Sequence, residues 1–347
     1  MRDGGPDCWL VANTDADQAN SLDRGAPMLQ ILLLITPIFS LIAMGFIIAR
    51  TRYLVDGAAR ALVDFGYKIA VPALLIRAMS SVGEVPVSPL RLLGAYGGGI
   101  VATWTLATLA TLFLLRRPAV DAPSIAMGTC FGNGLMLGIP LILQALGPGA
   151  ATPIAFLVSI ETAFLWTIGM THQEVASRGF RSLSLNGLRS IAASLFRNPI
   201  VLSIIVGLSL RYSGITIPAL PDKVLSLLAQ SAVPISLFGL GMALAAFEIK
   251  GQWSSIAVLC VLKMAVYPAI AFTLAVQVFA LPPLWAAALA MFASMPVGNN
   301  AFLFASRYGH AVGSVSAAVA ISTPLAVVTV AIVIAWLQAA GYPVQSP

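Results

Sequence analysis

The chain has 347 residues, of which 59% are hydrophobic and only 9% carry a formal charge, against roughly a quarter in an average soluble domain. So few charges cannot coat a water-facing surface, which excludes a soluble enzyme or binding module and fits a surface facing lipid. The net charge of +6 is spread over single Lys and Arg residues at the ends of apolar runs, with no basic patch among aromatics. The lipid bilayer is therefore an expected partner and nucleic acid is not.

Residues 1–27 stand apart. Asp3, Asp7, Asp15, Asp17 and Asp23 occur with Gly, Asn and Pro and without an apolar run, so this segment reads as a disordered acidic tail and not as a secretory signal. From Met28 onward, apolar stretches of about 18–25 residues follow one another, each long enough for a hydrocarbon core of roughly 30 Å. In lipid the backbone must close its own hydrogen bonds as helix or barrel, and barrel strands would show short alternating segments. Helices are expected at about 28–49, 57–79, 88–115, 121–146, 150–171, 194–211, 220–247, 253–279, 284–308 and 311–338. The fold class is thus an all-α polytopic membrane protein with ten transmembrane helices. A first five-helix repeat spans 28–171 and a second 194–338. A linker over 172–193 joins them, and 339–347 form a C-terminal tail.

Lys and Arg in the short loops set the orientation. Arg50, Arg52, Arg60, Arg116, Arg117, Arg178, Arg181, Arg189, Arg197 and Lys250 gather on one side, which is expected to be cytoplasmic. Both termini then lie outside, in an inner membrane. The linker, with Arg178, Arg181 and Arg189, reads either as a short interfacial helix on anionic headgroups or as a plain loop.

The two halves match at a constant offset of 162 residues. Pro37 meets Pro199, Gly45 meets Gly207, Ala70-Val71-Pro72 meets Ala232-Val233-Pro234, and Gly147 meets Gly309. With five spans per copy, the second copy is inverted, which is an architecture of alternating-access transporters. The fourth span carries Gly132-Asn133-Gly134, Gly138 and Pro140 near its middle, and the ninth carries Pro296, Gly298, Asn299 and Asn300. Glycine costs roughly 1 kcal/mol and proline roughly 3 in a helix interior, so both spans are expected to break there. Each half-helix N-terminus directs about half a positive charge at the break. Two such termini with the amides of Asn133, Asn299 and Asn300 make an anion site that needs no fixed cation. Asn133, Gly134, Gly138, Pro140, Pro296, Gly298, Asn299 and Asn300 are the expected substrate-binding residues.

Ionisable residues inside the membrane are costly. Asp64 and Lys68 are spaced to pair on one helix face. Glu161 and Lys263 sit midway along their spans, and Glu161 is the sharpest candidate for coupling, with a structural pair, Lys263 included, as the competing reading. Arg77 and Arg307 are near enough to helix ends to snorkel. His172 and His310 read as solvated loop residues, and Gly94 and Gly98 as close helix packing. Cys8, Cys130 and Cys260 lack metal-ligand spacing, so no metal is expected, and no cofactor. No GxSxG, HExxH or P-loop pattern supplies a membrane enzyme with a nucleophile or metal.

At these residues the chain resembles the auxin efflux carrier family, whose bacterial members include malonate and other organic-anion carriers. Asn133 with Gly138-Ile139-Pro140-Leu141 is similar to the family's fourth-helix pattern. Pro296, Asn300, Phe302, Ala305, Tyr308 and Gly309 are similar to its ninth-helix pattern. The resemblance runs from about Met28 to the C-terminus. It implies a scaffold and a transport domain working as an elevator, a substrate carboxylate at the helix crossing, and often a homodimer. The long hydrophilic central loop of the plant carriers is absent. Three functions stay open at this point, the first two being a carrier for a small organic anion and a Na⁺- or H⁺-coupled symporter or antiporter of the bile-acid type. A non-transporting receptor is a third.

Overall fold

The computed structural model describes residues 27–81, 88–179, 199–247 and 249–345. The acidic tail up to residue 26 and residues 180–193 of the expected linker lie outside them. Among the described residues the chain forms only helices and their connections, with one isolated bridge between Gly132 and Val297. The helices are α1 (Pro27–Arg50), α2 (Ala58–Phe65), α3 (Val71–Ser80), α4 (Pro89–Leu109), α5 (Ala122–Cys130), α6 (Ile139–Leu146) and α7 (Ala151–Arg178). Then come α8 (Pro199–Tyr212), α9 (Ala219–Leu244), α10 (Trp253–Val261), α11 (Tyr267–Thr273), α12 (Pro283–Ala293), α13 (Asn299–Tyr308) and α14 (Val312–Ala339). Six helical stretches are long and apolar enough to cross a membrane, while Gly134–Leu146, Pro199–Tyr212 and Pro283–Ala293 are apolar but shorter. This is a multi-pass membrane protein.

Among the described residues proline accounts for three of the five π turns, those at Ala110–Leu114 and Leu274–Val278 having none at this spacing. Pro72, Pro140 and Pro268 are each the second residue of a helix that follows a π turn, at Gly66–Ala70, Gly134–Gly138 and Leu262–Val266. A proline ring clashes with the carbonyl four residues back. That carbonyl, on Lys68, Met136 or Met264, is the middle residue of each π turn. One extra residue in the turn moves it aside, and the residue before each proline donates to the carbonyl five back instead.

Close glycine contacts join the halves reciprocally. A Cβ on Gly45 of α1 would overlap the Phe238 carbonyl of α9, and one on Gly207 of α8 would stand 2.8 Å from the Ile76 carbonyl of α3. At the 162-residue offset Gly45 becomes Gly207 and Ile76 becomes Phe238, so one contact is the other with its partners exchanged. Gly147 and Gly309, at the same offset, both end a helix with positive φ, 79° and 75°. The π turn before Pro72 has no counterpart before Pro234, where α9 runs on unbroken.

Several side chains sit elsewhere than the sequence implied. The helix expected to stop at 171 continues as α7 to Arg178. His172 on it is half-buried and accepts a hydrogen bond from Trp104 Nε1 (3.1 Å), Arg178 pairs with Glu174, and Gly179 caps the end at φ 79°. His310 does lie in the connection before α14 and is half-buried. Its Nδ1 stands 3.5 Å from Asp121, which Arg117 also grips at 2.8 Å. The tail expected over 339–347 packs back through residue 345, with Gln345 N donating to the Ala145 carbonyl at 2.7 Å. Arg77, in the last turn of α3, has an ion partner that sequence spacing did not show. It forks onto Asp222 of α9 at 2.8 and 3.2 Å. Both side chains are more than a third exposed, so a double-mutant cycle with Arg77→Ala and Asp222→Ala should give a coupling below about 1 kcal/mol in thermal unfolding.

Candidate functional site

Helix α5 stops at Cys130, Phe131 is extended, and helical structure resumes at Gly134; α12 stops at Ala293 and α13 starts at Asn299. The two irregular stretches cross and bind each other as a minimal antiparallel pair. Asn133 N donates to the Pro296 carbonyl (2.8 Å), and Gly298 N donates to the Phe131 carbonyl (2.9 Å), on either side of the Gly132–Val297 bridge. These bonds exchange under a two-fold through the bridge. They answer the problem of backbone polar groups freed at membrane depth, which lipid cannot satisfy.

Side chains from flanking helices take the remaining bridge groups. Glu161 Oε1, on α7, accepts from Gly132 N at 3.4 Å. Ser322 Oγ, on α14, accepts from Val297 N at 3.0 Å. The fully buried Lys263 donates from Nζ to the Ala293 carbonyl at 2.8 Å, which places an ammonium at the C-terminus of α12, where the helix dipole favours a cation. Its Nζ also lies 4.6 Å from the centre of the Tyr267 ring. Glu161 and Lys263 thus flank one glycine, each held by a peptide atom rather than by the other. Tyr96 and Tyr267 close the back of this cluster, ring centres 6.4 Å apart, with the buried Tyr96 hydroxyl turned toward Glu161 and Tyr267.

In front of the crossing lies a cavity of about 270 Å³. Asn133, Asn299, Asn300, Glu161 and Asp64 all line it, together with Gly132. The structure therefore gathers the three amides and both membrane carboxylates in one place. The Asn133 backbone is locked, since its carbonyl accepts from Leu137 N and Gly138 N at 3.2 and 3.0 Å. Asn299 and Asn300 open α13, whose first N–H groups have no partner within the helix.

The other expected residues do different work. Gly134 backs onto the Phe292 ring, and Gly138 onto Met295. Pro140 starts α6 and Pro296 supplies its carbonyl to Asn133. Gly298 passes so close to Gly132 that a Cβ would stand 2.5 Å from its carbonyl oxygen. These five shape the crossing without facing the cavity. Lys68 is exposed and pairs with Asp64 at 2.9 Å. Thr162 and Ser236 line the cavity and Ser322 holds the bridge; the sequence reading missed all three. Lone hydroxyls in apolar helices are common and carry no signal of their own.

A second cavity, of about 690 Å³, lies further along α3 and α7, where α6 and the start of α12 complete its wall. Leu74 and Leu75 of α3, Ile139 of α6 and Ile154 of α7 line it, whereas Val71 and Val158, one turn away, line the first. A layer of apolar side chains about one helical turn thick separates the two.

A family model described as membrane transport protein matches residues 30–334. A protein of Rhizobium meliloti (strain 1021) named "Putative malonate transporter" is 28% identical over 306 residues, which cover 87% of this chain and 94% of that protein.

Proposed function

The chain belongs to the membrane transport protein family, that of the auxin efflux carriers, and from that premise we propose that this transporter carries a small organic anion through the crossing by alternating access. The observation that carries the reading is the convergence of Asn133, Asn299 and Asn300 on one cavity at the N-terminus of α13. Neutral amides and helix N–H groups hold a carboxylate by charge-assisted hydrogen bonds and release it again. The small cavity suits a short mono- or dicarboxylate, and the relative's name makes malonate the first to try. The anion site is less free of cations than the amides alone imply, because Lys263 stands directly behind Gly132.

The reading includes ten spans in two inverted repeats, both termini outside an inner membrane, and a thin gate. The reciprocal Gly45–Phe238 and Gly207–Ile76 contacts and the two-fold bonds of the bridge support the repeat. The paired cavities support alternation, since a small relative shift of α3 against α6 and α7 moves the apolar layer from one side of the ligand to the other.

Uptake of labelled malonate into proteoliposomes is the direct test. Asn133→Ala and Asn300→Ala should each lower transport at least tenfold, the loss expected for one or two ligand hydrogen bonds at about 1.5 kcal/mol or more each, with little change in unfolding temperature. Undiminished transport by Asn133→Ala would remove the site from the crossing.

A second reading is favoured by Glu161, a buried carboxylate in the wall of the same cavity, with Asp64 beside it. An anion arriving next to Glu161 adds a second negative charge beside the single ammonium of Lys263, and a proton or cation travelling with it would offset that charge. Coupling to H⁺ or Na⁺ is then expected. Removing Na⁺ and collapsing the pH gradient in separate experiments distinguishes these from uniport.

A further inference from the structure

Away from the crossing, a groove of about 1060 Å³ opens between α1, the end of α9 and α14. Its walls are apolar, with Phe39, Phe46, Phe247, Pro324 and Val327 among them, and its charged lining residues are Arg50 and Lys250. No carboxylate lines it among the described residues. Both cations lie at one end, Arg50 as the last residue of α1 and Lys250 just beyond α9. Arg50 also covers the Phe46 ring at 5.4 Å.

The dimensions match one leaflet. From Arg50 to Phe39 the groove follows α1 for about 16 Å, at roughly 1.5 Å per residue. Half of a hydrocarbon core of roughly 30 Å is the same depth. A slot with apolar walls to mid-membrane depth and, among the described residues, its charged lining at one end does not fit a small soluble anion. It fits an amphiphile with an anionic head.

The groove also has a defined place in the fold. Gly45 and Gly241 bring α1 and α9 into backbone contact, since a Cβ on either would overlap a carbonyl of the other helix, Phe238 and Ile42 respectively. They form one closely joined pair. The opposite wall belongs to α14, which carries the Ser322 that holds the crossing. Pro324 lacks an N–H, so the carbonyl of Ala320, itself a lining residue, loses its helical partner.

We propose that the groove is a site for an acidic phospholipid, with the phosphate at Arg50 and Lys250 and an acyl chain along α1 and α14. It stands apart from the substrate cavity and does not depend on what the transporter carries. The test uses the full-length protein, purified and delipidated, with thermal unfolding followed against added lipid. Phosphatidylglycerol should bind about thirtyfold more tightly than phosphatidylcholine, at about a fivefold factor for each cation near the headgroup. The double variant Arg50→Ser, Lys250→Ser should lose that preference, with its unfolding temperature in the absence of lipid as the control for its fold. Ala43→Trp, which fills the groove from the exposed face of α1, should weaken both lipids. Equal binding of the two lipids by the unmodified protein overturns the proposal, as does a preference that survives the double variant. Stabilisation by glycerol phosphate as strong as by the lipid shows a bare anion site and overturns it too, and undiminished lipid binding by Ala43→Trp puts the lipid elsewhere.

Discussion

Gly298→Ala is expected to abolish transport and to lower the unfolding temperature more than alanine at any other glycine of the crossing. The backbone of Gly298 has φ −83° and ψ 151°, which any residue adopts, so the cost is steric. Its Cβ would stand 2.5 Å from the Gly132 oxygen and 2.8 Å from the Gly132 carbonyl carbon. Both are main-chain atoms in a bridge held from each side by bonds of 2.8 and 2.9 Å. Overpacking costs about 1–3 kcal/mol where side chains can yield, and here none is in a position to. At Gly132 the same methyl would meet Lys263 Nζ at 3.0 Å, the far end of a long side chain. Gly132→Ala should therefore fold nearly as well as the parent while disturbing Lys263. Thermal unfolding in detergent and transport in proteoliposomes measure both. A Gly298→Ala protein with parental transport would mean that the crossing yields far more easily than its bonding implies.

Lys263→Met is expected to destabilise by a few kcal/mol, the scale found when one member of a buried charge arrangement is removed. Three things are lost together: the bond to the Ala293 carbonyl, the cation at the α12 terminus, and the positive charge across Gly132 from Glu161. Adding Glu161→Gln should restore part of the stability, because the buried carboxylate no longer stands without a neighbouring ammonium. A coupling energy of about 0.5–3 kcal/mol in the cycle marks contact of this kind. Strict additivity of the two single changes would separate Glu161 from Lys263 and make each a local structural residue. Transport by the double variant carries further information. If it resumes uptake without dependence on the pH gradient, Glu161 is the coupling group; if uptake is still coupled, the ion is carried elsewhere.

Much of the fold was legible before any coordinates. Hydropathy placed helix ends within a few residues for most elements, because the requirement for apolar length acts on each segment by itself. α7 ran past its expected end because its extension is held by Trp104 through His172 and by a capping Gly179. Neither is visible as hydropathy. The 162-residue offset was legible because Pro and Gly have fixed backbone consequences wherever they stand. What the offset did not reveal is that Gly45 and Ile76 exchange for Gly207 and Phe238.

The candidate site divides in the same way. Residue types alone pointed to Asn133, Asn299, Asn300 and Glu161, since amides beside glycine and proline, and a carboxylate in an apolar run, are costly and need a reason. The eight residues gathered around the two motifs were not equivalent, however. Three asparagines reach the cavity, while Gly134, Gly138, Pro140, Pro296 and Gly298 set the path of the chain. Sequence spacing cannot separate these roles, because facing and packing depend on which helix lies opposite.

What the sequence by itself determined is local: the membrane-spanning class, the helix segments, and the places where a continuous helix is too costly to keep. Tertiary structure alone decided that Gly132 and Val297, 165 positions apart, pair at the crossing, and that Lys263 and Glu161 flank their bridge. It also decided that two cavities meet across one apolar turn. The physical reason is that hydropathy and propensity are summed along the chain, whereas freed carbonyls, buried charges and close glycines are satisfied only by whatever the fold brings from far away.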